Sequence, residues 1–224
     1  MTVGQDPSSL RDVNFFITGT DTEVGKTYVT KLLIESLRAD GVDAVGFKPI
    51  SCGDREDGRL LAEASGNLNI DEVNPMHLGS ALAPLAAALL ENKTIDPAEL
   101  VSAYREFAER QGTVLVEGAG GWEVPITQNY FISDLAKDLN LPVILVAANR
   151  LGALNHILLS IKAIQDKGLK CAGIILNQLE DEMDTPMITN KGLLESLTDV
   201  PLLEHVIHGQ DFLDPDLIDF IKES

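Results

Sequence analysis

The chain has little cysteine, little positive charge and no long apolar run. Its two cysteines, Cys52 and Cys171, are not a disulfide framework in 224 residues, which points to a reducing, cytoplasmic setting. There are 17 Lys and Arg against 35 Asp and Glu, a formal net charge of −18. That balance argues against a nucleic-acid partner or an anionic membrane, both of which need basic patches. It leaves phosphate ligands open, because a nest of backbone N–H groups with one or two lysines binds phosphate on an acidic protein. Apolar runs stop at about eight residues, far short of a membrane span. The polar segment 1–12 has no apolar leader stretch, so no signal peptide is expected.

What is present suits one domain of generous size, with 45% hydrophobic residues to fill a core. Residues 1–12 read as a loose tail, 13–206 as the domain, and 207–224 as a C-terminal extension with a short amphipathic helix at 215–222. Strands are expected at 13–18, 44–47, 113–116, 142–147, 171–176 and 202–206. Helices are expected at 26–39, 57–65, 80–91 (its start near Pro84), 97–110, 132–139, 153–167 and 187–197. Apolar strands without a polar face must be covered on both sides. The alternation therefore predicts an α/β fold with a mostly parallel central sheet flanked by helices.

The strongest local signal follows the first strand: Gly19-Thr20-Asp21-Thr22-Glu23-Val24-Gly25-Lys26-Thr27. Between a strand and a helix, this is the context of a phosphate-binding P-loop. Gly25 permits close approach of backbone to phosphate, and the N–H groups of residues 22–27 can point at the anion. Lys26 can reach the β- and γ-phosphates of ATP, and the Thr27 hydroxyl can ligate Mg²⁺. The strict pattern would have glycine at position 20, where this chain has Thr20.

Further clusters follow later strands. Lys48, in Lys48-Pro49-Ile50-Ser51-Cys52-Gly53, could bind a phosphoryl group or a carbamate, or be a surface lysine before a turn. Asp57, at the start of a helix, reads in isolation as an N-cap. Glu117 ends an apolar strand and is a natural Mg²⁺ ligand. The turn expected after it, Gly118-Ala119-Gly120-Gly121, would let backbone line a nucleotide or substrate. Gly152, Ala153, Leu154 and Asn155 open a helix whose free N–H groups suit a carboxylate. His156 beside them reads as packing or capping. Asn177, at a strand end, could read an adenine edge. Four scattered histidines and two distant cysteines make no zinc pattern.

Taken together, GTDTEVGKT (19–27), VEGAGGW (116–122) and the LG-x-x-NH segment (151–156), with Lys48-Pro49 and Asn177, resemble the dethiobiotin synthetase family over about residues 15–205. The resemblance implies an ATP- and Mg²⁺-dependent enzyme that joins CO₂ to 7,8-diaminononanoate and closes a cyclic urea. The implied route runs through a carbamate and a carbamic–phosphoric anhydride, releasing ADP and phosphate. By matching positions, Lys26 and Lys48 would be catalytic, and Thr27, Asp57 and Glu117 would hold Mg²⁺. Thr22, Glu23, Val24, Gly25, Lys26, Thr27 and Tyr28 would bind ATP, with Asp57, Glu117, Gly118, Ala119 and Gly120. Asn177 with Pro201, Leu202 and Leu203 would hold adenine. Ser51 and Cys52 would meet the substrate, and Gly152, Ala153, Leu154 and Asn155 would bind its carboxylate across a homodimer interface.

Departures are Cys52, where many relatives carry a hydroxyl residue, and Arg150, where many carry lysine before Leu-Gly. A partition-type ATPase is disfavoured because its second loop lysine is replaced by Asp21. An amidotransferase-like ligase is disfavoured because the chain has no room for a glutaminase domain.

Overall fold

The computed structural model describes residues 13–224. The tail expected at 1–12 lies outside the described residues. The first strand, β1 (Phe15–Gly19), is buried throughout and leads into α1 (Lys26–Ala39). Then come β2 (Ala44–Phe47), β3 (Ile50–Cys52), α2 (Glu56–Ala64), α3 (Ile70–Val73), β4 (Met76–Leu78), α4 (Pro84–Leu90) and α5 (Pro97–Ala108). The second half runs β5 (Thr113–Gly121), β6 (Pro125–Thr127), β7 (Tyr130–Phe131), α6 (Ile132–Leu139), β8 (Val143–Ala148), α7 (Ala153–Asp166), β9 (Cys171–Asn177), α8 (Thr185–Leu197), β10 (Leu202–Val206) and α9 (Pro215–Glu223).

Six strands form one parallel sheet in the order β10-β9-β8-β1-β5-β2. β8 and β9 are buried at every residue, as strands covered on both faces must be. β1 lies between β5 and β8, and β5 also pairs with β2. The segments leaving β1, β2 and β5 at their C-terminal ends are therefore neighbours, which is where sheets of this kind place ligands.

Three features depart from the periodicity. β5 continues to Gly121, which pairs with Gly19 beyond an irregularity in the register; the expected turn at 118–121 is instead the end of the strand, with Gly120 alone at positive φ. A two-stranded parallel ribbon, β3 with β4, pairs Ser51 with His77. Its strands are three residues each, too short for an alternation to register. A β6–β7 hairpin follows β5. The helix expected over 80–91 begins at Pro84, whose fixed φ suits a first turn.

In the C-terminal extension, α9 buries Leu217, Ile218 and Ile221 in the main core. Lys222 Nζ lies 2.7 Å from Asp40 Oδ2 at the end of α1.

Candidate active site

The loop after β1 enters α1 through Gly25, at φ 85°. A side chain there would be strained in the left-handed region, and its Cβ would fall 2.0 Å from Asn177 Nδ2. That Nδ2 donates to the Val24 carbonyl at 3.0 Å, so the end of β9 braces the loop. No side chain caps α1. Its first-turn N–H groups have no intrahelical acceptors and are available to an anion. Lys26 folds back so that Nζ donates to the Asp21 carbonyl at 2.9 Å. Burial and the nearby Lys48 ammonium pull its pKa down to about 8, against the opposing pull of Glu117, Asp57 and Asp21.

Lys48 follows β2 and Glu117 lies within β5; adjacent strands therefore bring them together. Lys48 Nζ is 2.6 Å from Glu117 Oε1, 2.8 Å from Asp57 Oδ2 and 3.3 Å from the Gly118 carbonyl. Burial alone would lower the Lys48 pKa; Glu117 and Asp57 overcome it and the net direction is upward. Burial would raise the Asp57 pKa, but Lys48, Thr27 and Lys26 hold it below the usual carboxylate range. The Thr27 hydroxyl is 2.8 Å from both Asp57 Oδ1 and Glu117 Oε1.

Glu117 is fully buried, yet its Oε2 has no hydrogen-bond partner. An orphaned, buried carboxylate oxygen beside a second carboxylate and a threonine hydroxyl fits a hard divalent cation. Among the described residues no group of three or more His, Cys, Asp or Glu side chains forms a metal site. Two carboxylates and a hydroxyl suit magnesium, which leaves other positions to phosphate and water.

Lys26, Thr27, Lys48 and Asp57 face a cavity of about 680 Å³, while Glu117 and Gly118 are buried and do not line it. Of the residues singled out in the sequence, Thr22, Glu23, Gly25, Lys26, Thr27, Lys48, Ser51, Cys52, Asp57, Ala119 and Gly120 line it. Gly120, at φ 68°, brings the strand end against the loop: a Cβ there would lie 3.4 Å from Thr22 Oγ1. Burial raises the Cys52 thiol to about 11, which makes it a polar lining group and not a nucleophile.

Other expected residues lie away from the cavity wall. Val24 is buried in the core. The Tyr28 hydroxyl donates to the Gln210 carbonyl. Pro201 accepts from Ile174 N at 2.9 Å, Leu202 pairs with Ile174, and Leu203 packs on Gly173. Gly152 caps α7 and Ala153, Leu154 and Asn155 form its first turn, with Gly152 and Asn155 exposed, Leu154 half-buried and Ala153 buried, next to Leu151 at 81% exposure. His156 is exposed, so the packing role expected of it is not seen within one chain.

The sequence reading missed the opposite wall, Ala81, Leu82, Ala83, Pro84 and Val124. Pro84 was the one available signal, since a helix starting there leaves residues 79–83 as a loop. Glu91 fixes that loop by accepting from Ser80 N at 2.8 Å.

A family described as AAA domain matches residues 13–209. An ATP-dependent dethiobiotin synthetase BioD of Akkermansia muciniphila is 50% identical over 206 residues, covering 92% of this chain and 97% of that protein. The chain belongs to the dethiobiotin synthetase family. The synthetase of Bacillus subtilis strain 168 is 37% identical over 195 residues, covering 84% of each chain. As a member of this family, the protein is an ATP-dependent ligase with a P-loop NTPase fold.

Solved structures agree on that fold. The septum site-determining protein MinD of Pyrococcus horikoshii, complexed with Mg-ADP, superposes with TM-score 0.57 at 16% identity, over 94% of this chain and 85% of that one. A ParA family ATPase of Chlorobium tepidum gives TM-score 0.55 at 13% identity, over 96% and 91%. Among the described residues no helix is long and apolar enough to cross a membrane.

Proposed function

We propose that this synthetase carboxylates 7,8-diaminononanoate with CO₂ and closes the ring to dethiobiotin, using ATP. The observation that carries the reading is the convergence of Lys26, Lys48, Thr27 and Asp57 on the wall of the 680 Å³ cavity, with buried Glu117 bonded to Lys48 and Thr27. Phosphoryl transfer needs positioning and charge neutralisation more than covalent help from the protein. Two ammonium groups and a cation site supply both.

In this reading one substrate amine takes up CO₂ as a carbamate. A carbamate oxygen then attacks the γ-phosphorus and ADP leaves. The second amine attacks the carbonyl carbon of the resulting anhydride, the carbon–oxygen bond breaks, and phosphate leaves. Lys26 and Lys48 neutralise the phosphoryl and carbamate oxygens as charge shifts among them. Thr22 and residues 23–28 hold the phosphates with Gly118, Ala119 and Gly120. Asn177 and residues 201–203 form the adenine end. Thr27, Asp57 and Glu117 would hold Mg²⁺, which would add positive charge beside the phosphates. Ser51 and Cys52 line the substrate end.

The α7 start, Gly152–Asn155, lies outside the cavity of its own chain. The reading therefore includes a homodimer in which Gly152–Asn155 of the partner subunit bind the substrate carboxylate. Exposed Leu151 and Leu159 support a covered face there. The reading places the protein in the cytoplasm, with no nucleic-acid or membrane partner, in keeping with the net charge of −18.

The route is tested with bicarbonate labelled with heavy oxygen, under rapid quench. The carbamate oxygen that attacks phosphorus leaves with it, so released phosphate should carry one labelled oxygen. Unlabelled phosphate, with dethiobiotin formed, would rule out the anhydride route.

A further inference from the structure

Asn74 is fully buried, and it lies outside the cavity lining. Its Nδ2 donates to the Lys48 carbonyl at 2.8 Å and to the Met76 carbonyl at 3.2 Å. Its Oδ1 accepts from Ser51 Oγ at 2.7 Å and from Arg55 Nε at 3.0 Å. The whole amide is therefore engaged, both donors and an acceptor oxygen shared by two groups. The Lys48 N–H meanwhile donates to the neighbouring Val73 carbonyl at 2.7 Å. Both polar backbone groups of Lys48 are gripped by residues 73–74.

The same side chain reaches the other arm of the site. Arg55 precedes α2 with φ 62°, a conformation that costs energy for a residue other than glycine. Its guanidinium is tied to Asn74 twice, through Nε to Oδ1 and through Nη2 to the Asn74 carbonyl at 2.6 Å. Asp57 is the second residue of that helix. Gly58 beside it presses on Asn74 so closely that a Cβ would sit 2.8 Å from Asn74 Cβ.

We propose that Asn74 is a positioning residue for ring closure: it sets Lys48, Ser51 and, through Arg55 and Gly58, Asp57 at the distances the chemistry needs. The proposal rests on the reading of Lys48 as a catalytic group. A buried amide is suited to the task. It donates and accepts without charge, and its bonds tie the segment after β2 to β3, β4 and the start of α2. None of the hydrogen bonds of Asn74 reaches residues 19–27; the link from this brace to the phosphate loop is Asp57, 2.8 Å from the Thr27 hydroxyl, so metal-free nucleotide binding and substrate chemistry respond separately.

The test compares Asn74→Asp, Gly58→Ala and Lys48→Ala with the wild-type enzyme. Asn74→Asp keeps the acceptor bonds to Ser51 and Arg55 but turns a second oxygen toward the Lys48 and Met76 carbonyls. We expect kcat for dethiobiotin to fall about 100-fold, the scale of a small misplacement of reacting groups. The Kd for an ATP analogue measured without Mg²⁺ should stay within about threefold of wild type, because none of the hydrogen bonds of Asn74 reaches residues 19–27. Gly58→Ala, which pushes the same side chain from the other face, should give the same split and carries the test if Asn74→Asp does not fold.

A wild-type kcat in the variants, beside an inactive Lys48→Ala, would overturn the proposal alone. So would kcat and nucleotide affinity falling together, which is the mark of a merely structural role. Near-normal turnover in Lys48→Ala would remove Lys48 from the mechanism and the proposal with it.

Discussion

The ammonium of Lys48 lies 2.6 Å from Glu117 Oε1, with side chains 2% and 0% exposed. A pair this buried gains stability only while both partners are present. Removing the lysine takes the ion-pair partner away from the fully buried Glu117. Lys48→Ala is therefore expected to be destabilised by about 3 kcal/mol without metal and to recover part of that with Mg²⁺. It should still fold and should lose dethiobiotin formation. Thermal melts with and without Mg²⁺, alongside product assays, check both halves.

Glu117→Gln keeps the volume and removes the charge. The unpartnered Oε2 is the oxygen that points to a cation. Mg²⁺ affinity in the presence of nucleotide should fall at least about tenfold, the scale on which groups that tune a metal site act. Metal-free nucleotide binding should remain. Calorimetric titration of Mg²⁺ into the nucleotide complex reads this directly, and an unchanged affinity would take Glu117 out of the cation site.

Gly25→Ala meets two obstacles at once, a φ of 85° and the Asn177 amide 2.0 Å from the new Cβ. The loop must shift, and the Asn177–Val24 bond must break. Nucleotide affinity should drop more than about tenfold, since anion binding here depends on the direction of backbone N–H groups. Fluorescent-nucleotide titration against a variant with an intact melting profile would show it.

Lys26 predicts a proton linkage. Its pKa is held at about 8 by burial and by Lys48 in the nucleotide-free protein. A triphosphate beside it favours the charged form, so binding raises that pKa. Above pH 8 the free protein has lost this proton and the complex regains it. Nucleotide binding should take up about half a proton near pH 8 and almost none near pH 6.5. Calorimetry in buffers of different ionisation enthalpy measures the uptake, and Lys26→Met should abolish it.

The strand and helix sequence was legible because β1, β2, β8 and β9 are buried at every residue, and the longer helices carry a 3.6-residue apolar repeat. The loop after β1 was legible too, since Gly25, Lys26 and Thr27 each have a local reason for their type. Asp57 was harder. In isolation it looks like an N-cap, and only the fold brings it 2.8 Å from Lys48. Asn74 was silent. Its partners lie 26 residues before it, at Lys48, and 19 before it, at Arg55, and no local pattern encodes that. The 79–83 wall was also hidden, since Ala81, Leu82 and Ala83 read as the apolar face of a helix until Pro84 is seen to start it. Asn177 is the instructive case: beside the adenine role expected of it, its amide donates to the Val24 carbonyl of the phosphate loop, a contact 153 residues apart that no local pattern encodes.

The most direct measurement of the central claim is incorporation of labelled bicarbonate into 7,8-diaminononanoate with Mg-ATP, counting acid-stable product and phosphate together. The account predicts one label fixed for each phosphate released, both strictly dependent on the diamine. Phosphate release without stable label, or equal release without the diamine, would contradict it.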